Sequence, residues 1–280
     1  MHQSLHYVIN AVNKIRSNSL NSRLFAQLCE ENDEVFTRLL LHTEVRWLSR
    51  GSCLARFSAI FESVLEFLQE KDPNLKENLN NCKTDIYYLT DIFGMFNKVN
   101  LQLQGDDLNL IKTKSIISAC VGKLILCKQN LSRKEYSQFP HLSKLLEMLQ
   151  DDVILSYVTH LDALHKDFTK RFEDLLNLQI PQWIINPYNI TAMEEANVVI
   201  QEELITISTD EELKQKFNQG YQKFWLQRNI ETQYPALWNI AEKYLIAFPS
   251  SYLFIRSHTS VKVGWTRSTK LRMKQLIEKC

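Results

Sequence analysis

Glycine and proline are both scarce in this 280-residue chain, at six each. Sheet-rich folds use these residues at their many tight turns, so the shortage points to long helices with few breaks. A charge imbalance is missing as well, since 33 basic and 32 acidic residues leave a net charge of +1. No global field therefore draws the chain onto nucleic acid or an anionic membrane, although a local basic patch is compatible with this balance. No apolar run is long enough to span a bilayer, and Met1-His2-Gln3-Ser4 leads into an amphipathic pattern rather than a secretory apolar block. The six cysteines (Cys29, Cys53, Cys82, Cys120, Cys127 and Cys280) form no C-x-x-C pair and sit mostly in apolar helical patterns. That usage suits structural thiols in a reducing compartment, so the expected location is intracellular, with no membrane partner.

Signatures of catalysis are missing too. His2 and His6 have the i, i+4 spacing of a zinc helix, but Gln3 and Ser4 stand where a metalloprotease needs its glutamate. His160 and His165 are five apart and do not stack on one face, so no metal site or cofactor is expected. The chain lacks G-x-G-x-x-G, G-x-x-x-x-G-K-[ST] and G-x-S-x-G, the first requirements of nucleotide loops and serine hydrolases. Cysteine–histidine nucleophilic pairs stay open, because such partners meet only in space. Asp106-Asp107 and Asp151-Asp152 read as helix starts, where carboxylates favour the helix dipole.

What is present is helical periodicity at ordinary globular composition, 45% hydrophobic and 23% charged. Leu5, Val8, Ile9, Val12 and Ile15 share one helical face, and Ser17-Asn18-Ser19 interrupts it before Leu24, Phe25 and Leu28. A chain that opens directly in a packing-competent helix has the look of an interior piece. Arg38 to Leu48, with Leu39-Leu40-Leu41, suits a short buried strand, though periodicity alone leaves helix open. Ser52 is the expected N-cap of a helix carrying Leu54, Phe57, Phe61, Val64, Leu65 and Leu68, which stops before Asp72-Pro73. Helix then follows helix to about residue 179. One carries Leu89 to Val99 and stops at Gly105, another holds Ile116 to Leu124, and a third presents Leu155, Val158, Leu161, Leu164, Phe168 and Phe172. Ile180 to Tyr188 reads as an apolar loop whose aromatics dock on this bundle. Helices resume over Met193–Ile205 and from Asp210 to Phe248, broken at Tyr234-Pro235. Residues 251–280 hold seven basic residues against Glu278 alone, the one marked charge asymmetry in the chain.

Two groups of residues go beyond architecture. The first is Leu20-Asn21-Ser22-Arg23-Leu24-Phe25, Leu28-Cys29-Glu30-Glu31 and Leu41-His42-Thr43-Glu44-Val45-Arg46-Trp47-Leu48-Ser49-Arg50-Gly51. The second is Phe224-Trp225, Tyr234-Pro235-Ala236-Leu237, Ala241-Glu242-Lys243-Tyr244-Leu245 and Phe248-Pro249-Ser250-Ser251-Tyr252-Leu253. In this order they resemble the hAT superfamily of DNA transposases. The likeness is strongest to the domesticated Charlie- and Buster-like group that includes BED-finger, SCAN-domain and FAM200-type host proteins, and it covers roughly residues 3–253.

The resemblance implies an RNase H-like catalytic fold interrupted by a large helical insertion. Such enzymes hold two divalent metals on three carboxylates. It places two of the aspartates upstream of Met1, and the third ligand, a glutamate, where Ile255 stands, with Phe254 in place of the motif's cysteine. Isoleucine cannot bind a metal, so the expected protein is not an enzyme and has no catalytic residue. Arg46 and Trp47 match the family's Arg-Trp pair near bound DNA. They either contact nucleic acid, by stacking and phosphate pairing, or form a buried anchor with a local ion pair. The basic tail, with Arg267, Lys270, Arg272 and Lys274, either makes weak, salt-sensitive nucleic-acid contacts or is a solvated, partly helical end.

The expected fold is mainly α, a helical bundle flanked by incomplete pieces of an RNase H-like α/β domain. Residues 1–52 are read as the residual RNase H-like segment of two helices and one strand, and 53–205 as the helical insertion. Residues 206–253 are read as C-terminal dimerisation helices and 254–280 as a divergent tail. The expected role is a non-catalytic, transposase-derived interaction and dimerisation module, nuclear rather than cytoplasmic. Its partners would be itself or related transposase-derived proteins, with at most weak, non-specific DNA contact. The alternatives are a transposase or nuclease fragment that needs missing upstream sequence, and a gene remnant without function. The segment 53–205 is expected to fold alone, with less stable flanks and an unpaired strand edge near Leu39–Val45.

Overall fold

A computed structural model describes residues 1–40, 48–105, 107–189 and 197–246, without the side chains of 48–50. Every regular element among these residues is a helix. They form two compact units, Met1–Gln102 with Ala119–Arg171, and Leu103–Ser118 with the described residues from Phe172 onward.

In the first unit the opening stripe forms α1 (His2–Arg16), which buries Leu5, Val8, Ala11, Val12 and Ile15. The interruption after it is a cap: Asn18 Oδ1 accepts from the backbone N–H of Leu20 at 2.8 Å and starts α2 (Ser19–Glu31). Phe25 of α2 meets Phe67 edge to face at 5.5 Å, while Leu24 stays 40% exposed.

The segment expected to be a strand departs from that reading. Arg38, Leu39 and Leu40 form no ladder, and residues 41–47 lie outside the described residues. Side chains satisfy the backbone there instead. Arg56 Nη1 donates to Arg38 O and Cys53 Sγ to Leu40 O, each at 3.3 Å, while Leu39 is buried as an anchor. Ser52 is not an N-cap, because α3 (Leu48–Ala59) begins four residues earlier and places it inside the helix. The single helix expected through Leu68 is two, α3 and α4 (Phe61–Lys71), parted at Ile60 with φ −119° and ψ 33°. Across the break the Phe57 and Phe61 rings meet edge to face at 5.9 Å, so core packing overrides local continuity.

Asp72 ends α4 as the sequence suggested and at once starts α5 (Pro73–Asn81). Its Oδ1 accepts from Leu75 N–H at 3.1 Å, and its Oδ2 pairs with Lys14 at 2.6 Å. Next, α6 (Lys83–Gln102) stops three residues before Gly105. The division between the units falls within α7 (Leu110–Ser132), whose start is set by Asn109 Oδ1 accepting from Lys112 N–H at 2.8 Å. Asp107 therefore precedes that helix rather than opening it, and Asp106 lies outside the described residues. A 3-10 turn (Leu142–Met148) leads to α8 (Asp151–Arg171), which does carry Asp151 and Asp152 in its first turn. Its inward face is Ile154, Tyr157, Leu161, Leu164 and Phe168; Leu155, expected on it, is 64% exposed.

The second unit is built from short helices: α9 (Glu173–Leu176), α10 (Gln182–Ile185), α11 (Val198–Thr209), α12 (Glu211–Phe217), α13 (Tyr221–Trp225), α14 (Arg228–Gln233) and α15 (Pro235–Leu245). The helix expected from Met193 is described only from Val198 and runs on to Thr209. The stretch from Asp210 breaks at Gly220 and Gln227 as well as at Tyr234; Gly220 has φ +97°, a conformation natural to glycine. Trp183 and Ile184 of the expected apolar loop are buried here, not on the first unit. Trp225 Nε1 donates to Ile184 O at 2.8 Å, and the Trp183 and Trp225 rings cross edge to face at 5.5 Å. Glu203 of α11 receives the N–H groups of Ala236 and Leu237 at 3.2 and 2.9 Å, placing a carboxylate at the positive end of α15.

The expected boundaries at 52/53 and 205/206 do not coincide with this division. Helices α1 and α2 belong with α4–α6 in the first unit, and residues 172–205 belong with 206–246 in the second.

Candidate interaction surfaces

Arg46, Trp47, Ile255, Arg267, Lys270, Arg272 and Lys274, the residues the sequence singled out, all lie outside the described residues. His2 and His6 are exposed on α1, and no group of three or more histidine, cysteine or acidic side chains that could hold a metal occurs among the described residues.

The polar chemistry buried in the first unit serves its architecture. The Asp91 carboxylate accepts from Leu142 N–H at 3.0 Å and His141 N–H at 3.1 Å, with His141 Nδ1 at 2.6 Å, and so ties the 3-10 turn to α6. Burial raises its pKa, and these donors offset the rise only in part. Asp85 is also desolvated, but the hydroxyls of Ser4 and Tyr157, at 2.7 and 2.9 Å, and the amino group of Met1 outweigh that and hold it low. Tyr88 stacks on Tyr157 at 4.2 Å, and its hydroxyl lies 2.9 Å from His160 Nδ1. Desolvation pushes His160 down to about 4, so this imidazole is neutral at physiological pH.

The five described cysteines are free thiols. Burial raises Cys29, Cys53, Cys82 and Cys127 to about 11 and Cys120 to about 12. Held protonated at neutral pH, these five thiols are weak nucleophiles.

Two surfaces remain, one in each unit. In the second, α11 buries Leu204 and Ile207 but turns Val198, Val199 and Ile205 to solvent at 72, 69 and 54% exposure. In the first, two open grooves flank α4, one of ≈ 530 Å³ against α2 and one of ≈ 630 Å³ against α5. Both are lined by Glu66 and Gln69. Sequence reading singled out neither surface; Glu62, Glu66 and Glu70 stand at i, i+4 and i+8 on α4.

Residues 1–132 match the FAM200/GTF2IRD2 helical domain family. Over 268 residues, 95% of this chain, the sequence is 27% identical to General transcription factor II-I repeat domain-containing protein 2 of Bos taurus. The matched stretch is 28% of that protein, so the chain spans less than a third of the length of this relative. No solved structure matches the chain. No helix among the described residues is long and apolar enough to cross a membrane. Together the two likenesses support a FAM200/GTF2IRD2-type relationship for this chain.

Proposed function

We propose that the chain is a non-catalytic interaction module derived from an hAT transposase of the Charlie- and Buster-like group, and that it self-associates through the outer face of α11. The observation that carries this reading is the solvent exposure of Val198, Val199 and Ile205. Single apolar residues on a surface are ordinary. Here, however, three stand within eight residues on a helix whose other side, Leu204 and Ile207, is already buried, with Glu202 and Thr206 as polar residues among them. A second copy is the proposed cover, because this helix leads directly into the segment from residue 206 that resembles the family's dimerisation end. The basic tail adds weak, salt-sensitive DNA contact through Arg267, Lys270, Arg272 and Lys274, and the site of action is the nucleus.

Light scattering on the purified chain tests self-association. A mass that rises toward the dimer with concentration is expected, and Ile205→Glu should return it to the monomer. A chain that stays monomeric throughout refutes the reading. The non-catalytic part rests on Ile255 at the glutamate position; DNA nicking that requires Mg²⁺ or Mn²⁺ would overturn it and favour the nuclease-fragment alternative.

A further inference from the structure

The exposed edge of α4 carries Glu62, Glu66 and Glu70 in one row. Like charges at i, i+4 cost an isolated helix about 0.2–0.5 kcal/mol per pair, so the row does not serve the helix that bears it. Nor is it fully neutralised from within. Lys83 pairs with Glu62 at 2.6 Å, and among the described residues Glu66 receives only the Asn32 amide, at 2.9 Å. Among the described residues Glu70 and Glu77 have no ion pair. On either side of this row lies a groove of mixed lining: Leu24, Leu28 and Phe67 with Glu31 and Lys71 on the α2 side, and Leu65 with Glu77 and Lys76 on the α5 side, so acidic side chains outnumber the one lysine in each.

We propose that this acid-rimmed pair of grooves is the docking surface for the chain's own basic segment around residues 267–274, bound within the same molecule. The argument is charge complementarity at matching spacing. Residues 251–280 carry seven of the chain's basic residues and one of its acids, and outside them 31 acidic residues face 26 basic ones. The near-neutral total thus conceals an acidic body and a basic end. Arg267, Lys270, Leu271 and Lys274 fall at i, i+3, i+4 and i+7, the spacing of one helical face. At 1.5 Å per residue the cationic row is about 10 Å long, against about 12 Å for Glu62 to Glu70. Leu271 sits between the cations, where an apolar side chain can enter a groove beside Leu24. Docking would occupy the same cations that are proposed to contact DNA, so the acidic row would act as an internal competitor for phosphate. The inference stands apart from self-association through α11, because it concerns one molecule.

Zero-length carbodiimide cross-linking of the full chain, read by mass spectrometry, tests it. Amide links from Lys270 and Lys274 to Glu62, Glu66 or Glu70 are expected, with yields that fall as salt screens the attraction. In a mixture of ¹⁴N- and ¹⁵N-labelled chains these links should stay within one label. Tryptic cleavage at Arg272 should quicken several-fold in Glu66→Gln/Glu70→Gln. The charge swap Glu66→Lys/Glu70→Lys with Lys270→Glu/Lys274→Glu should restore the slow cleavage that Glu66→Lys/Glu70→Lys alone loses. Absence of the links, links mainly between differently labelled chains, or a cleavage rate indifferent to the α4 carboxylates would each overturn the proposal.

Discussion

Trp225→Ala should unravel the second unit, and the structure sets the scale of the loss. The indole is fully buried, crossing Trp183 at 5.5 Å and Phe224 at 5.2 Å. Truncating a buried tryptophan to alanine costs about 3–5 kcal/mol, as lost transfer energy plus the cavity left behind. The change also strips Ile184 O of its 2.8 Å donor, and an orphaned buried acceptor adds about 1–3 kcal/mol. These contributions overlap, so a total near 5 kcal/mol is expected, a third or more of the roughly 5–15 kcal/mol that holds a typical domain. Trp225→Phe separates them, because it keeps most of the ring burial and chiefly loses the N–H, at about 1–3 kcal/mol. Urea titration by far-UV circular dichroism gives the energies, and hydrogen exchange over α10, α13 and α15 shows where protection is lost. A shift below about 1 kcal/mol for Trp225→Ala, or unchanged exchange in α10, would refute the claim that this indole anchors the unit.

Two further outcomes follow from the first unit. His160 is held down at about 4 by burial, whereas an unfolded imidazole titrates near 6.5, so the unfolded chain takes up the proton first as pH falls. The contribution is fully present above about pH 6.5 and is lost toward pH 4, by about 2 kcal/mol at pH 5. Urea midpoints at pH 7 and 5 should show the loss, and His160→Gln should flatten it. Gly51 faces Asn97 so closely that an added Cβ would collide with the Asn97 amide. Gly51→Ala should therefore cost about 1–3 kcal/mol in thermal or urea unfolding. Asn97→Ala in the same chain should recover part of that loss, because Asn97 Oδ1 is buried without a hydrogen-bond partner and little is forfeited with it. A purely additive double variant would contradict the proposed clash.

Local chemistry was legible in the sequence wherever a backbone signal and a side-chain signal coincided. The apolar stripe of α1, the break at Asn18, the stop at Asp72-Pro73 and the acidic start of α8 all follow from spacing and capping, which need no distant partner. The scarcity of glycine and proline likewise anticipated helices throughout the described residues. Tertiary structure alone decided the rest. Periodicity tells which residues can share a face but not what will cover that face. Hence Leu155 emerged on the surface, Ile60 became a break, Trp183 joined the second unit, and Val198, Val199 and Ile205 were left facing solvent. Likewise, a row of glutamates on α4 reads as an ordinary polar face until α2 and α5 are set beside it. Whether such a row is simply solvated or rims a pair of grooves depends on contacts between residues far apart in the chain, and no local pattern encodes those.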